Sequence, residues 1–129
     1  MNKGGILMDK LKKGLDTTTK IWGYERDDLI TEYGELGEYI LQYAFGDIYA
    51  REGLSLRDRE IVTISFLISQ GSPETQLRNH YQGALNVGVT IDELKEIILQ
   101  ASLYNGFPKA IKALKVLKSL LEDTKDLGV

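Results

Sequence analysis

From Ser55 to Leu121 the apolar residues fall in successive runs at three- and four-residue spacing, each opened by a capping signal or closed by a breaker. That pattern restricts the region to packed helices. Ser55 caps a run from Leu56 to about Gln70, with Asp58 favourable in the first turn. Its body, IVTISFLIS, is apolar nearly all round; the β-branched residues suit a strand, but capping and length favour a buried helix. Ser72 as N-cap and Pro73 as first helical residue open the next run, striped by Leu77, Tyr81, Ala84 and Leu85 and stopped at Gly88. Thr90 and Glu93 have capping-box spacing ahead of Leu94, Ile97, Ile98, Ala101 and Tyr104, with Asn105 and Gly106 as the stop. Pro108 opens the last run, a broad band of Ala110, Ala113, Leu114, Leu117, Leu120 and Leu121, and the tail DTKDLGV is expected to fray.

The N-terminal part reads the same way with weaker punctuation. A helix is expected from Ile6 to about Ile21, striped by Leu7, Leu11 and Leu15 and frayed at Gly4 and Gly5. Gly23 ends it, Trp22 and Tyr24 anchor the crossing, and Asp27 with Asp28 reads as a cap. A further helix is expected from Leu29 or Glu35 to Phe45, with Leu36, Ile40, Tyr43 and Ala44 as its stripe. Tyr39, Phe45, Ile48 and Tyr49 form a second apolar edge. The aromatic connector AFGDIYAREGL serves either the core or the lining of a pocket. No stretch alternates as a strand does, and no repeat or low-complexity tract is present. The expected fold is all-α, one multi-helix domain over residues 1–129 with about six helices, and its broad apolar faces predict burial between subunits.

Composition narrows the chemistry. The chain has 129 residues, 43% hydrophobic and 27% charged, the profile of a globular domain with a real core. A net charge of −3 and a pI near 5.2 argue against nucleic-acid binding. No run reaches the length of a membrane span, and the apolar run in MNKGGILMDKLKKG is short for a secretory signal, so a cytoplasmic location is expected. There is no cysteine, which removes disulfides, thiolate metal sites and thiol redox chemistry. With a single histidine and no carboxylates spaced like a metal-binding loop, a metal is not expected.

That histidine, His80, lies on the apolar stripe of its helix, three residues after Leu77 and four before Ala84. An imidazole that titrates near neutral pH therefore faces inward, where it serves either as a satisfied core residue or as an acid–base group. Gly83, one turn away, leaves room for a neighbouring helix or a ligand. Arg59 and Glu60 sit where the polar start of their helix meets its buried body. Such charges either pair with one another or serve a site.

The order and spacing of these residues resemble the carboxymuconolactone decarboxylase family over most of the chain. The resemblance runs through Tyr43-Ala44-Phe45-Gly46-Asp47, Gly53-Leu54 and Arg59. It is strongest over His80, Ala84, Gly88-Val89-Thr90, Glu93, Glu96 and Tyr104-x-Gly106-x-Pro108. It implies an all-helical AhpD-like fold assembling into trimers or hexamers. The family's peroxidase-associated branch carries Cys-x-x-Cys-x-x-x-His; here Pro73 and Gln76 stand at the cysteine positions, so that chemistry is excluded. The other branch decarboxylates a carboxylated lactone of aromatic catabolism without a cofactor. Its pattern resembles W-G-x-x-W-x-R-P-G-L, against Phe45-Gly46-Asp47-Ile48-Tyr49-Ala50-Arg51-Glu52-Gly53-Leu54 here, with both tryptophans and the proline replaced. The decarboxylase branch usually has a small residue after the matching Arg59, where this chain has Glu60; the redox branch places a proton-relay glutamate in this region. For such chemistry His80 is expected as general acid/base, Arg59 as the anion-holding group, Glu60 as the partner that orients or exchanges protons with His80 where packing brings them together, and Tyr49 and Tyr104 as pocket-lining residues. The resemblance implies 4-carboxymuconolactone going to 3-oxoadipate enol-lactone as the type reaction. The alternative is a non-catalytic oligomeric member that binds an unrelated small molecule.

Overall fold

The computed structural model describes residues 3–125, with side chains from Asp9 onward. Every regular element among them is helical, and none of these helices is long and apolar enough to cross a membrane. Contacts gather into two units, Met1–Leu56 and Arg57–Val129.

The first unit contains α1 (Lys3–Trp22), α2 (Asp28–Tyr33), α3 (Glu35–Tyr39) and a π-helix (Ile40–Ile48). The single helix expected up to Phe45 is thus divided into successive pieces. Its apolar stripe also differs: Leu36 and Tyr43 are exposed, whereas Gly37, Leu41, Phe45 and Gly46 are buried. From Ile40 to Ile48 the pitch is π-helical. Hydrogen bonds reach five residues back, as from Tyr49 N–H to Ala44 O (2.8 Å), so residues four and five apart share a face. Two glycines let α1 and the π-helix meet backbone to backbone. A Cβ on Gly14 would lie 2.0 Å from Leu41 O, and one on Gly46 would lie 2.5 Å from Lys10 O.

That contact also decides which side of α1 is inward. Its buried residues are Gly14, Thr17, Thr18 and Ile21; Leu11 and Leu15 lie half-buried at the edge, and the Leu7 side chain falls outside the described residues. The buried threonines are satisfied locally, Thr17 donating to Lys13 O (2.9 Å) and Thr18 to Leu15 O (2.7 Å). Arg26, itself buried, stacks over the Trp22 ring at 4.8 Å and pairs with Asp28 (2.9 Å). Asp27 occupies the N-cap position of α2 but makes no side-chain cap bond.

The second unit packs α4 (Leu56–Gln70), α5 (Glu74–Asn86), α6 (Ile91–Asn105) and α7 (Phe107–Lys125) around a core that includes Ile64, Ile68, Leu77, Tyr81, Leu94, Ile98, Leu117 and Leu120. The capping box at Thr90 and Glu93 forms as expected, and α6 stops before Gly106. Helix α5 starts one residue later than expected, with Pro73 at the cap and no side-chain cap bond. α4 is not buried all round. Glu60, Ile64 and Ile68 face inward, while Val62 and Phe66 are exposed, because its neighbours cover one side only. Residues 126–129 of the tail fall outside the described residues.

Both ends of α4 are tied down. At its start, Arg57 pairs with Glu93 of the capping box and donates from Nε to Gly88 O (3.4 Å). At its end, α7 supplies two ammonium groups. Lys109 donates to Ser69 O (2.7 Å), and Lys112 donates to Ser72 O (2.7 Å) and Gly71 O (3.1 Å), which complements the negative helix terminus.

Candidate active site

With α4 held at both ends, the side chain of Glu60 projects from its first turns into the interior and is 0% exposed. Helix α5 brings His80 to meet it. Leu77 and Ala84, one turn either side of His80, are buried in the core, and Tyr81 beside it donates its hydroxyl to Ala113 O of α7 at 2.9 Å. Burial pushes the Tyr81 phenol above its ordinary value, so it remains a neutral donor. These contacts fix the rotation of α5 about its axis. The His80 ring lies at the margin of the core, its side chain 14% exposed.

His80 Nδ1 stands 2.9 Å from Glu60 Oε2. A carboxylate only accepts, so with Glu60 ionised the Nδ1 nitrogen carries the proton, and in the neutral ring Nε2 is the acceptor nitrogen. The second oxygen of Glu60, Oε1, is buried with no hydrogen-bond partner among the described residues. A fully buried carboxylate with so few bonds is a costly arrangement for stability alone. An imidazole oriented by a buried acid is suited to delivering a proton to a carbon and recovering one from water.

The remaining expected residues are placed as follows. Arg59 lies next to Glu60 on α4, its side chain partly buried and its Nε shielded from solvent. Tyr104 is 84% exposed near the end of α6, where it borders a groove with Ile61, Ser65 and Phe66 of α4; it is not part of the buried stripe read from its spacing. Tyr49 belongs to the first unit, its ring 4.9 Å from that of Phe45, and lines a cavity with Lys13, Lys20 and Arg51. The sequence reading gave no role to Arg57, or to Tyr81 beyond the core. The Tyr81 hydroxyl has no signal in a periodic pattern, and the Arg57–Glu93 pair spans 36 positions.

A model of the carboxymuconolactone decarboxylase family matches residues 34–119, a span that takes in Arg59, Glu60 and His80. The chain belongs to this family. It is similar to the 4-carboxymuconolactone decarboxylase of Acinetobacter baylyi, 34% identical over 125 residues that cover 93% of this chain and 90% of the relative. It is also similar to the nitrosuccinic acid decarboxylase of Metarhizium robertsii, 35% identical over 91 residues, 70% of this chain and 63% of that one. An uncharacterised 15.0 kDa protein of Paracoccus denitrificans is 38% identical over 82 residues, 63% of this chain and 61% of its own length. Membership in the carboxymuconolactone decarboxylase family brings fold and ancestry together: the matched span includes all of α4, α5 and α6.

Proposed function

We propose that this protein is a carboxy-lyase that needs no cofactor and acts on a small carboxylated lactone, in the manner of 4-carboxymuconolactone going to 3-oxoadipate enol-lactone. The observation that carries the proposal is the 2.9 Å contact between His80 and the buried Glu60, within a chain 34% identical to a named decarboxylase. In the proposed reaction the bond from the ring carbon to its carboxylate breaks and carbon dioxide leaves. The electron pair passes into the unsaturated lactone as a dienolate. His80 then delivers a proton from Nε2 to the carbon next to the lactone carbonyl and regains one from water. Glu60 is the positioning residue that sets the ring and its tautomer, and Arg59 grips a substrate carboxylate.

The second named relative supports the same chemistry from another side. Nitrosuccinic acid also loses a carboxylate from a carbon whose electron pair an adjacent group can hold, there a nitro group. The exposed Phe66, Leu103 and Phe107 support homo-oligomeric assembly, a trimer or hexamer, which light scattering on the purified protein tests.

Incubation with 4-carboxymuconolactone should deplete its ultraviolet absorbance. His80→Ala should lower the rate by about 10²- to 10⁴-fold, the usual share of a general acid, with an unchanged far-ultraviolet circular dichroism spectrum. A folded His80→Ala variant with wild-type turnover would remove His80 from the mechanism.

A further inference from the structure

Arg57 and Glu60 stand three residues apart on α4, on one face of the helix and about 4.5 Å apart along its axis. Glu60 reaches His80 on α5, and Arg57 reaches the turn in which α5 ends. Its Nε donates to Gly88 O (3.4 Å), its guanidinium also pairs with Glu93, and Asp58 lies farther off at 3.9 Å. Neither target is loose. Val89 N–H donates back to Ala84 O (2.9 Å) and Gly88 N–H to Leu85 O (3.3 Å), which fixes the Gly88 carbonyl to the last turn of α5. The other oxygen of Glu93 accepts from Thr90 N–H (3.0 Å) in the capping box of α6. The Arg57 stem lies over the turn, its Cδ 4.0 Å from where a Cβ on Gly88 would stand. One guanidinium fork thus ties the first turn of α4 to the end of α5 and the start of α6. For α4 alone this residue is badly placed. A cation in the first turn opposes the helix dipole, and an ion pair whose side chains are 35% and 43% exposed adds little stability. What the fork supplies is position.

We infer that Arg57 is a positioning residue for the His80–Glu60 pair: by fixing the start of α4 to Gly88 and Glu93, it keeps the Glu60 carboxylate within bonding reach of His80 Nδ1. The inference rests on the decarboxylase reading above only for its effect on turnover. A contact of 2.9 Å has a margin of a few tenths of an ångström before the hydrogen bond weakens, so a small pivot of the first turn of α4 is enough to loosen the ring. The far end of α4 provides the control. There Lys109 and Lys112 hold the carbonyls of Ser69, Gly71 and Ser72, nine to twelve residues beyond Glu60.

The test reads the ring ¹⁵N resonances of His80, the chain's only histidine, in the full-length protein with the ring neutral. Arg57→Met should move both nitrogens from the Nδ1–H pattern towards the average of the two tautomers. Lys112→Met, which releases the far end of α4, should lower the Tm and leave the ring resonances in place. Glu93→Gln keeps an acceptor for the capping box but loses the charge. It should move the resonances the same way by less, and it decides the matter where Arg57→Met does not fold. With 4-carboxymuconolactone, Arg57→Met should lower kcat about 3- to 10-fold and leave KM within about twofold. An unchanged ring spectrum in folded Arg57→Met overturns the inference, as does an unchanged one in Glu93→Gln where that variant stands in. An equal movement in Lys112→Met also overturns it, since any loosening of α4 would then suffice. Wild-type protein without turnover overturns the decarboxylase reading and leaves the ring spectrum to decide the role of Arg57.

Discussion

Replacing Glu60 by Gln separates a positioning role from a structural one. The substitution keeps the shape of a side chain that is 0% exposed, and an amide oxygen still accepts from His80 Nδ1–H across 2.9 Å. What disappears is the negative charge. At that distance a carboxylate and an imidazolium attract by about 6 kcal/mol with an effective dielectric constant near 20, an upper bound that desolvation reduces. If about 2–3 kcal/mol of it is felt when the ring carries its proton towards the substrate, kcat should fall by about 30- to 150-fold. KM should change little. Stability should move the other way or hardly at all, because a buried carboxylate with one orphan oxygen becomes neutral. A change within about 1 kcal/mol corresponds to roughly 4 °C in Tm for a chain of 129 residues. Because His80 is the only histidine, its ring ¹⁵N resonances report the tautomer directly, and in Glu60→Gln the Nδ1–H preference should weaken. Full kcat with an unchanged ring spectrum would refute the positioning role. A Tm loss beyond about 15 °C, equivalent to some 4 kcal/mol, with kcat intact would make the pair a structural ion pair instead.

Other expectations concern the scaffold. Tyr81→Phe removes the bond from the phenol to Ala113 O, a carbonyl inside α7, and should cost about 0.5–1.5 kcal/mol in a urea melt; an unchanged midpoint contradicts the assigned hydrogen bond. Gly14→Ala would set a Cβ 2.0 Å from Leu41 O, so a loss of at least about 3 kcal/mol is expected, and a variant of wild-type stability would show that α1 and the π-helix do not meet there. The side-chain bond from Arg57, then the backbone bond from Thr90, hold the Glu93 carboxyl below its ordinary value of 4.5. A depressed carboxyl contributes stability above that ordinary value and loses it as pH falls through the folded-state value. The Tm gap between wild type and Glu93→Gln should therefore be widest near neutral pH and close below pH 4.5; a gap independent of pH would deny the linkage.

The helices of the second unit were legible because their caps and apolar positions are local signals. Thr90 and Glu93, and the breaks at Gly88 and Gly106, each act within one turn of the chain. The π-helix was not legible, because reading Ile40 to Ala44 at the α-helical pitch puts Tyr43 inside, where it is exposed. The close approach to α1 at Gly14 and Gly46, residues 32 positions apart, has no local signal either. The family and the candidate residues His80, Glu60 and Arg59 could be named from residue types in order.

By itself, the sequence determined an all-helical, cysteine-free chain with one imidazole on an inward stripe, since composition and periodicity are properties of the covalent chain. Only the tertiary structure decided that His80 meets Glu60 across 20 positions, that one oxygen of this acid is left without a partner, and that Tyr104 stands in solvent. The physical reason is that a buried carboxylate acquires its role from whatever packing brings within about 3 Å, and that distance is set by the rotation and spacing of two helices which no local signal encodes.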